Sequence, residues 1–170
     1  MMDYLVGIDP GLNGGIVSID MDGQIIFKWT MPIIDSGKSK REIDLVALRG
    51  IFDEVKEAKM VFIEKVGAMP GQGVSSMFKF GKVFGYLEAM IAAFQMPYIM
   101  VTPQQWSKEM HFGLSRDLKP KDRSLLVLNR LYPKIDLRAT ERSKKPHDGL
   151  LDALLIAEYG RRKTTQTNKF

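Results

Sequence analysis

The sequence predicts an α/β domain with a mixed five-stranded sheet and helices on both faces. Two observations carry this reading. Three β-rich runs follow one another directly at the start, and two more then alternate with amphipathic helical patterns. The 170 residues, 45% hydrophobic and 26% charged, suit one domain with a substantial core.

The elements follow in order. Strands are expected over 4–9, 14–20 and 24–31, as an antiparallel meander turning at Pro10-Gly11, Asn13-Gly14-Gly15 and Asp22-Gly23. A polar stretch, 35–41, reads as a loop whose Lys and Arg residues could meet a polyanion or simply face water. Ile43, Leu45, Val46, Leu48, Ile51, Phe52 and Val55 recur at helical spacing, which predicts a helix over 42–58. A strand over 60–65 follows, then a loop from Gly67 to Gly73. A long helix over 75–94 comes next, with Phe78, Val83, Leu87, Met90 and Ile91 on its apolar face. A strand over 98–101 ends at Thr102-Pro103, where a short helix begins. Pro120 and Asp122 open another helix, closed by Tyr132-Pro133. A loop over 134–147 leads to a last helix over 149–161. The expected division is a domain over 1–162 and a frayed tail over 163–170.

Composition narrows the function classes. No apolar stretch reaches the ~20 residues of a membrane span, and Asp3 and Asp9 interrupt any N-terminal signal pattern. The expected setting is the cytoplasm. Cysteine is absent and there are two histidines, which argues against disulfides, thiolate metal sites and the usual zinc sites. Charge is uneven. Residues 1–100 carry 10 Lys+Arg against 12 Asp+Glu, while residues 101–170 carry 15 against 8. A basic half of this kind attracts polyanions, although most charge runs are plain solvated surface.

Acids stand where apolar residues would be expected. Asp9 ends the run Leu5-Val6-Gly7-Ile8, and Glu64 ends Val61-Phe62-Ile63. A carboxylate in an apolar strand is costly unless compensated. A hard divalent ion such as Mg²⁺ or Mn²⁺ is one compensation. Turn amides at Gly11 to Asn13 are another for Asp9, and an ion pair with Lys65 is another for Glu64. Asp148 and Asp152, four apart, share one face near the start of the last helix. Acids in a first turn also suit the helix dipole, and Asp148 could be an N-cap.

Taken together, these residues resemble the RuvC family of Holliday-junction resolvases, in the ribonuclease H-like superfamily. The likeness lies in Gly7-Ile8-Asp9-Pro10-Gly11, Phe62-Ile63-Glu64 and Asp152-Ala-Leu-Leu-Ile-Ala, in that order. The segment Ser76-Met-Phe-Lys79-Phe-Gly81-Lys-Val-Phe-Gly85 adds to it, and the whole spans residues 4–160. Lys145-Pro-His-Asp-Gly-x-x-Asp looks closest to the phage-encoded and chloroplast branch. Bacterial members place the last two ligands three apart, but the residue three before Asp152 is Gly149, which has no ligating side chain. Asp148 takes that place by geometry, with His147 as its competitor.

The resemblance implies a ribonuclease H-like fold and a metal-dependent endonuclease that nicks four-way junctions symmetrically, leaving ligatable 5′-phosphate ends. It implies two Mg²⁺ or Mn²⁺ ions per site, held by Asp9, Glu64, Asp148 (or His147) and Asp152, with no small-molecule cofactor. It implies Lys121 near the scissile phosphate, with Lys108 a weaker candidate; a surface lysine at a helix start is the alternative for Lys121. Lys108, Lys121, Arg123, Arg142, Lys144 and Lys145 are the expected DNA contacts. Met69, Pro70 and Phe78 could wedge into the junction, although Phe78 could equally be core. A twofold homodimer suits a substrate with two strands to cut. The alternatives are a nuclease of the same superfamily acting on RNA–DNA hybrids or other branched DNA, and a non-catalytic junction-binding protein. An actin-like or sugar-kinase ATPase would need a second lobe.

Overall fold

The computed structural model describes residues 3–167 except 36, 38–40, 66, 68–70 and 72. Met69 and Pro70 therefore lie outside the described residues.

The chain opens with β1 (Tyr4–Asp9), β2 (Gly15–Asp20) and β3 (Ile25–Thr30), followed by the short pair β4 (Ile33–Asp35) and β5 (Arg41–Ile43). Then come α1 (Leu45–Val55), β6 (Met60–Glu64), α2 (Val74–Ala93), β7 (Tyr98–Val101), α3 (Pro103–Met110), α4 (Pro120–Leu131) and α5 (Asp148–Thr167). The main sheet has five strands in the order β3-β2-β1-β6-β7. The meander β1–β2–β3 is antiparallel, whereas β6 and β7 run parallel to β1. This is the mixed sheet expected.

Side chains alternate across the strands, so each strand feeds two cores. On one face Val6, Ile8, Val61 and Ile63 pack with Leu48 and Phe52 of α1 and Leu87 and Ile91 of α2. On the other, Leu5, Val17 and Phe62 pack with Trp106 of α3, Leu128 of α4 and Leu151 and Leu154 of α5. Helices therefore cover both faces. α5 lies close over the sheet because Gly7 leaves room for it: a Cβ on Gly7 would stand 2.1 Å from the Ala153 carbonyl oxygen.

Three expectations need correction. Residues 41–43 are not loop and helix but a strand, with Ile43 paired to Ile33. Asp44 sets the start of α1 instead, since its carboxylate accepts the amides of Val46 and Ala47 at 3.1 and 3.0 Å. That placement exposes Leu45 and Val46 and leaves Leu48, Ile51, Phe52 and Val55 as the buried face. The last helix does not end at 161 but continues to Thr167. Buried Glu158 is gripped by Arg161 and Arg162 at 2.7 and 2.9 Å, and the hydroxyls of Thr164 and Thr165 bond back to the carbonyls of Gly160 and Arg161. Finally, Phe78 is not core: it is 73% exposed, while Val83, Leu87 and Ile91 carry the buried face of α2.

Candidate active site

The sheet register brings the first two acids together. Ile8 stands beside Ile63 in the parallel β1–β6 pair, so Asp9 and Glu64 follow at the same edge of the sheet. Strand alternation turns both toward the face covered by α5, since Gly7 and Phe62, two residues back, face Ala153 and Gly160 of that helix. The start of α5 reaches the same edge through a bridge between Gly14 and Gly149. That contact explains the missing side chain at 149. A Cβ there would lie 2.2 Å from the Asn13 carbonyl oxygen and 2.4 Å from the Gly14 carbonyl carbon.

His147 caps α5. Its carbonyl accepts the amide of Leu151 at 3.0 Å, and its ring Nδ1 accepts that of Leu150 at 3.3 Å. Asp148 is the first residue of the helix, and Lys121 donates to its Oδ2 at 2.5 Å. Asp152 follows one turn later.

The electrostatics show how tightly the acids are grouped. Burial, then the charges of Asp152, Glu64 and Asp148, push the Asp9 carboxyl up to about 9. Burial, with Glu64 and Asp148, pushes Asp152 up to about 7 against the opposing pull of Lys121. Burial raises Glu64 as well, partly offset by a hydrogen bond from the Trp106 indole to Oε1 at 2.7 Å. Four all-oxygen donors that repel one another make a set suited to a hard divalent cation, whose charge would relieve the repulsion. As the side chains stand, Asp148 is paired with Lys121, and one oxygen of Glu64 is held by Trp106. No three His, Cys, Asp or Glu among the described residues are arranged around a common ion position.

Beside the acids lies a cavity of about 450 Å³, lined in part by Trp106, His111, Lys121, Arg123, Asp148 and Asp152. Lys121 and Arg123 are thus at the site. Lys108 is exposed in the last turn of α3, and Arg142, Lys144 and Lys145 are exposed in the segment before α5. Phe78 lines a separate groove with Arg41, Lys79 and Tyr86. The sequence pattern does not mark Trp106 as part of the site. The Thr102-Pro103-Gln-Gln105 start of α3, a capping box, was the available signal that a helix directed this residue inward.

Comparison with solved structures agrees with the architecture. A RuvC structure from Thermus thermophilus matches at a TM-score of 0.62 and 17% identity, covering 96% of this chain and 97% of the other. The fold is that of RuvC. The T. thermophilus RuvC in complex with a Holliday junction substrate matches at a TM-score of 0.58 and 16% identity, covering 97% of each chain. No protein-family model matches the chain, and no curated protein does. The mixed five-stranded α/β architecture expected from the sequence is thus shared with these structures over nearly the whole chain. No helix among the described residues is long and apolar enough to cross a membrane.

Proposed function

We propose that the chain is a metal-dependent, structure-selective endonuclease that resolves four-way DNA junctions, acting as a homodimer with one site per subunit. The observation that carries this reading is the convergence of Asp9, Glu64, Asp148 and Asp152 at one edge of a RuvC-type sheet, where burial and mutual repulsion raise Asp9 and Asp152. The junction-bound structure of a protein with the same fold supports the substrate class.

Two divalent ions, when bound, supply activation of the attacking water and a counter-charge for the leaving oxygen. Asp9, on the central strand, would help to hold them. Glu64 would hold one ion, and Asp148 and Asp152 the other. Asp9 must release its proton to serve, so occupancy of the site and loss of that proton are linked. Lys121 carries a cation on the same cavity wall as Asp148 and Asp152, where it can meet a phosphate oxygen once Asp148 is otherwise engaged. The basic C-terminal half holds the DNA arms around an acidic centre that would otherwise repel them. The dimer provides two such centres for two symmetric cuts.

The deciding experiment offers strand-labelled four-way junctions, RNA–DNA hybrids and flaps to the purified protein in Mg²⁺. Paired symmetric nicks in the junction, lost in D9N, E64Q and D152N with junction binding retained, are expected. Faster cutting of hybrids or flaps would give the site to a different nuclease. Junction binding without any cutting would make the chain a non-catalytic binder.

A further inference from the structure

We propose that Trp106 is a positioning residue for Glu64: its indole N–H holds Oε1 of the carboxylate and leaves Oε2 to face the metal. This rests on the metal-site reading above. The donor–acceptor distance is 2.7 Å, and the residues are 42 positions apart in sequence, joined only by the fold.

The indole is suited to this task. It is a donor and never an acceptor, so it can neither ligate the ion nor exchange a proton with the carboxylate. A lysine in the same place would bring a positive charge against the cation. Trp106 is also rigidly placed. It is 5% exposed, and α3 is fixed at its start by reciprocal hydrogen bonds between Thr102 and Gln105. His111 meets the ring in an edge-to-face contact at 6.0 Å between centroids, and Ser124 of α4 holds His111 in turn at 3.0 Å. The ring also lines the cavity shared by Asp148 and Asp152, so its hydrogen bond is made within the site. Glu64 ends a strand with one long side chain and several rotamers, and without an anchor its carboxylate would lose conformational entropy on binding an ion. Hydrogen-bond partners that orient ligating carboxylates typically change metal affinity by about 10–100-fold.

The alternative is that a buried indole has merely found an acceptor. W106F separates the two, because it keeps an aromatic ring and removes the N–H. Mn²⁺ is titrated calorimetrically into the wild type and W106F, without DNA and with metal-free thermal unfolding as a check. We expect W106F to bind Mn²⁺ about tenfold more weakly. Trp29 is the other of two tryptophans, so in a W29F protein the emission reports Trp106 alone. That emission should be quenched by Mn²⁺ with the calorimetric midpoint, which tests the proposal even if W106F does not fold. Wild-type affinity in W106F, or an unresponsive emission in a W29F protein that binds Mn²⁺, overturns the positioning role and leaves the metal site standing. A wild type that binds no Mn²⁺ removes both.

Discussion

Lys121 donates to Asp148 at 2.5 Å, joining the first turn of α4 to the first residue of α5 across the cavity beside the acidic cluster. Both side chains are more than half exposed, at 57% and 58%. An ion pair so wetted contributes no more than about 1 kcal/mol to stability. On the proposed reading its place beside the acids serves the chemistry instead. K121A should unfold within a few degrees of the wild type yet cut junctions at least tenfold more slowly, with affinity less affected. Single-turnover rates and binding isotherms on the same junction check this. A rate near that of the wild type would return Lys121 to the surface.

The Gly149–Gly14 contact predicts a purely structural effect. Since a Cβ at 149 collides with backbone atoms of the β1–β2 turn, G149A should destabilise the fold by about 1–3 kcal/mol, the range for overpacking a tight site. Urea denaturation midpoints measure it. A wild-type midpoint would mean that the start of α5 stands farther from the turn.

This contact also shows what the sequence could and could not convey. The strands were readable because their apolar runs are bounded by turn residues, and Asp9 and Glu64 stood out as acids ending such runs. The departure at 149 was visible only as a spacing. Its cause, a backbone approach between segments 135 residues apart, is set by tertiary packing. The β4–β5 pair was hidden because Ile43 fits a helical pattern as well as a strand, and only the Asp44 cap decides between them. Trp106 is hidden in the sequence for the same reason as the cause of the spacing at Gly149: its partner, Glu64, is distant in sequence. The extension of α5 past 161 depended on the grip of Arg161 and Arg162 on Glu158, which polarity alone presented as a solvated end.

The raised Asp9 carboxyl predicts how metal-free protein responds to pH. In the unfolded chain this group titrates near 3.8, and in the fold near 9. Between those values the folded state keeps a proton that the unfolded state has released, so stability falls as pH rises. Asp152, at about 7 when folded, adds in the same direction up to that pH. Metal-free wild type should lose melting temperature from pH 5 to 8.5. D9N should lose less and melt several degrees higher at pH 8.5 while cutting nothing. Added Mg²⁺ should stabilise the wild type more at pH 8.5 than at pH 6, because fewer protons then have to be displaced. Equal pH slopes in wild type and D9N would contradict the raised carboxyl.

His147 and Asp148 should separate cleanly. The ring Nδ1 of His147 accepts the Leu150 amide, so H147A removes a helix cap and should cost about 1 kcal/mol of stability. D148N keeps the helix and removes one charge from the cluster. We expect D148N to reduce cutting in Mg²⁺ by at least a hundredfold and H147A by less than tenfold. Rates in Mg²⁺ and Mn²⁺ for both variants decide. A larger loss for H147A would make the histidine the ligand, through its other ring nitrogen.

The basic half should govern how DNA is held. Arg142, Lys144 and Lys145 are exposed in the segment leading into α5, whereas Arg138 is already engaged by Asp136 at 2.7 Å. Each cation that neutralises a phosphate contributes about −0.9 to the log–log slope of affinity against salt. Junction binding should therefore weaken steeply with salt, and R142A and K144A should each flatten the slope by about one unit. R138A should change it little, because that charge is already balanced within the protein. The preference for a junction over linear duplex should survive all three changes, since in the proposed dimer shape selection would come from the arrangement of the two subunits and not from one cation. Affinities for junction and duplex across a salt series test every part of this. Equal wild-type affinity for the two, or insensitivity to salt, would remove junction selectivity and leave a general nuclease.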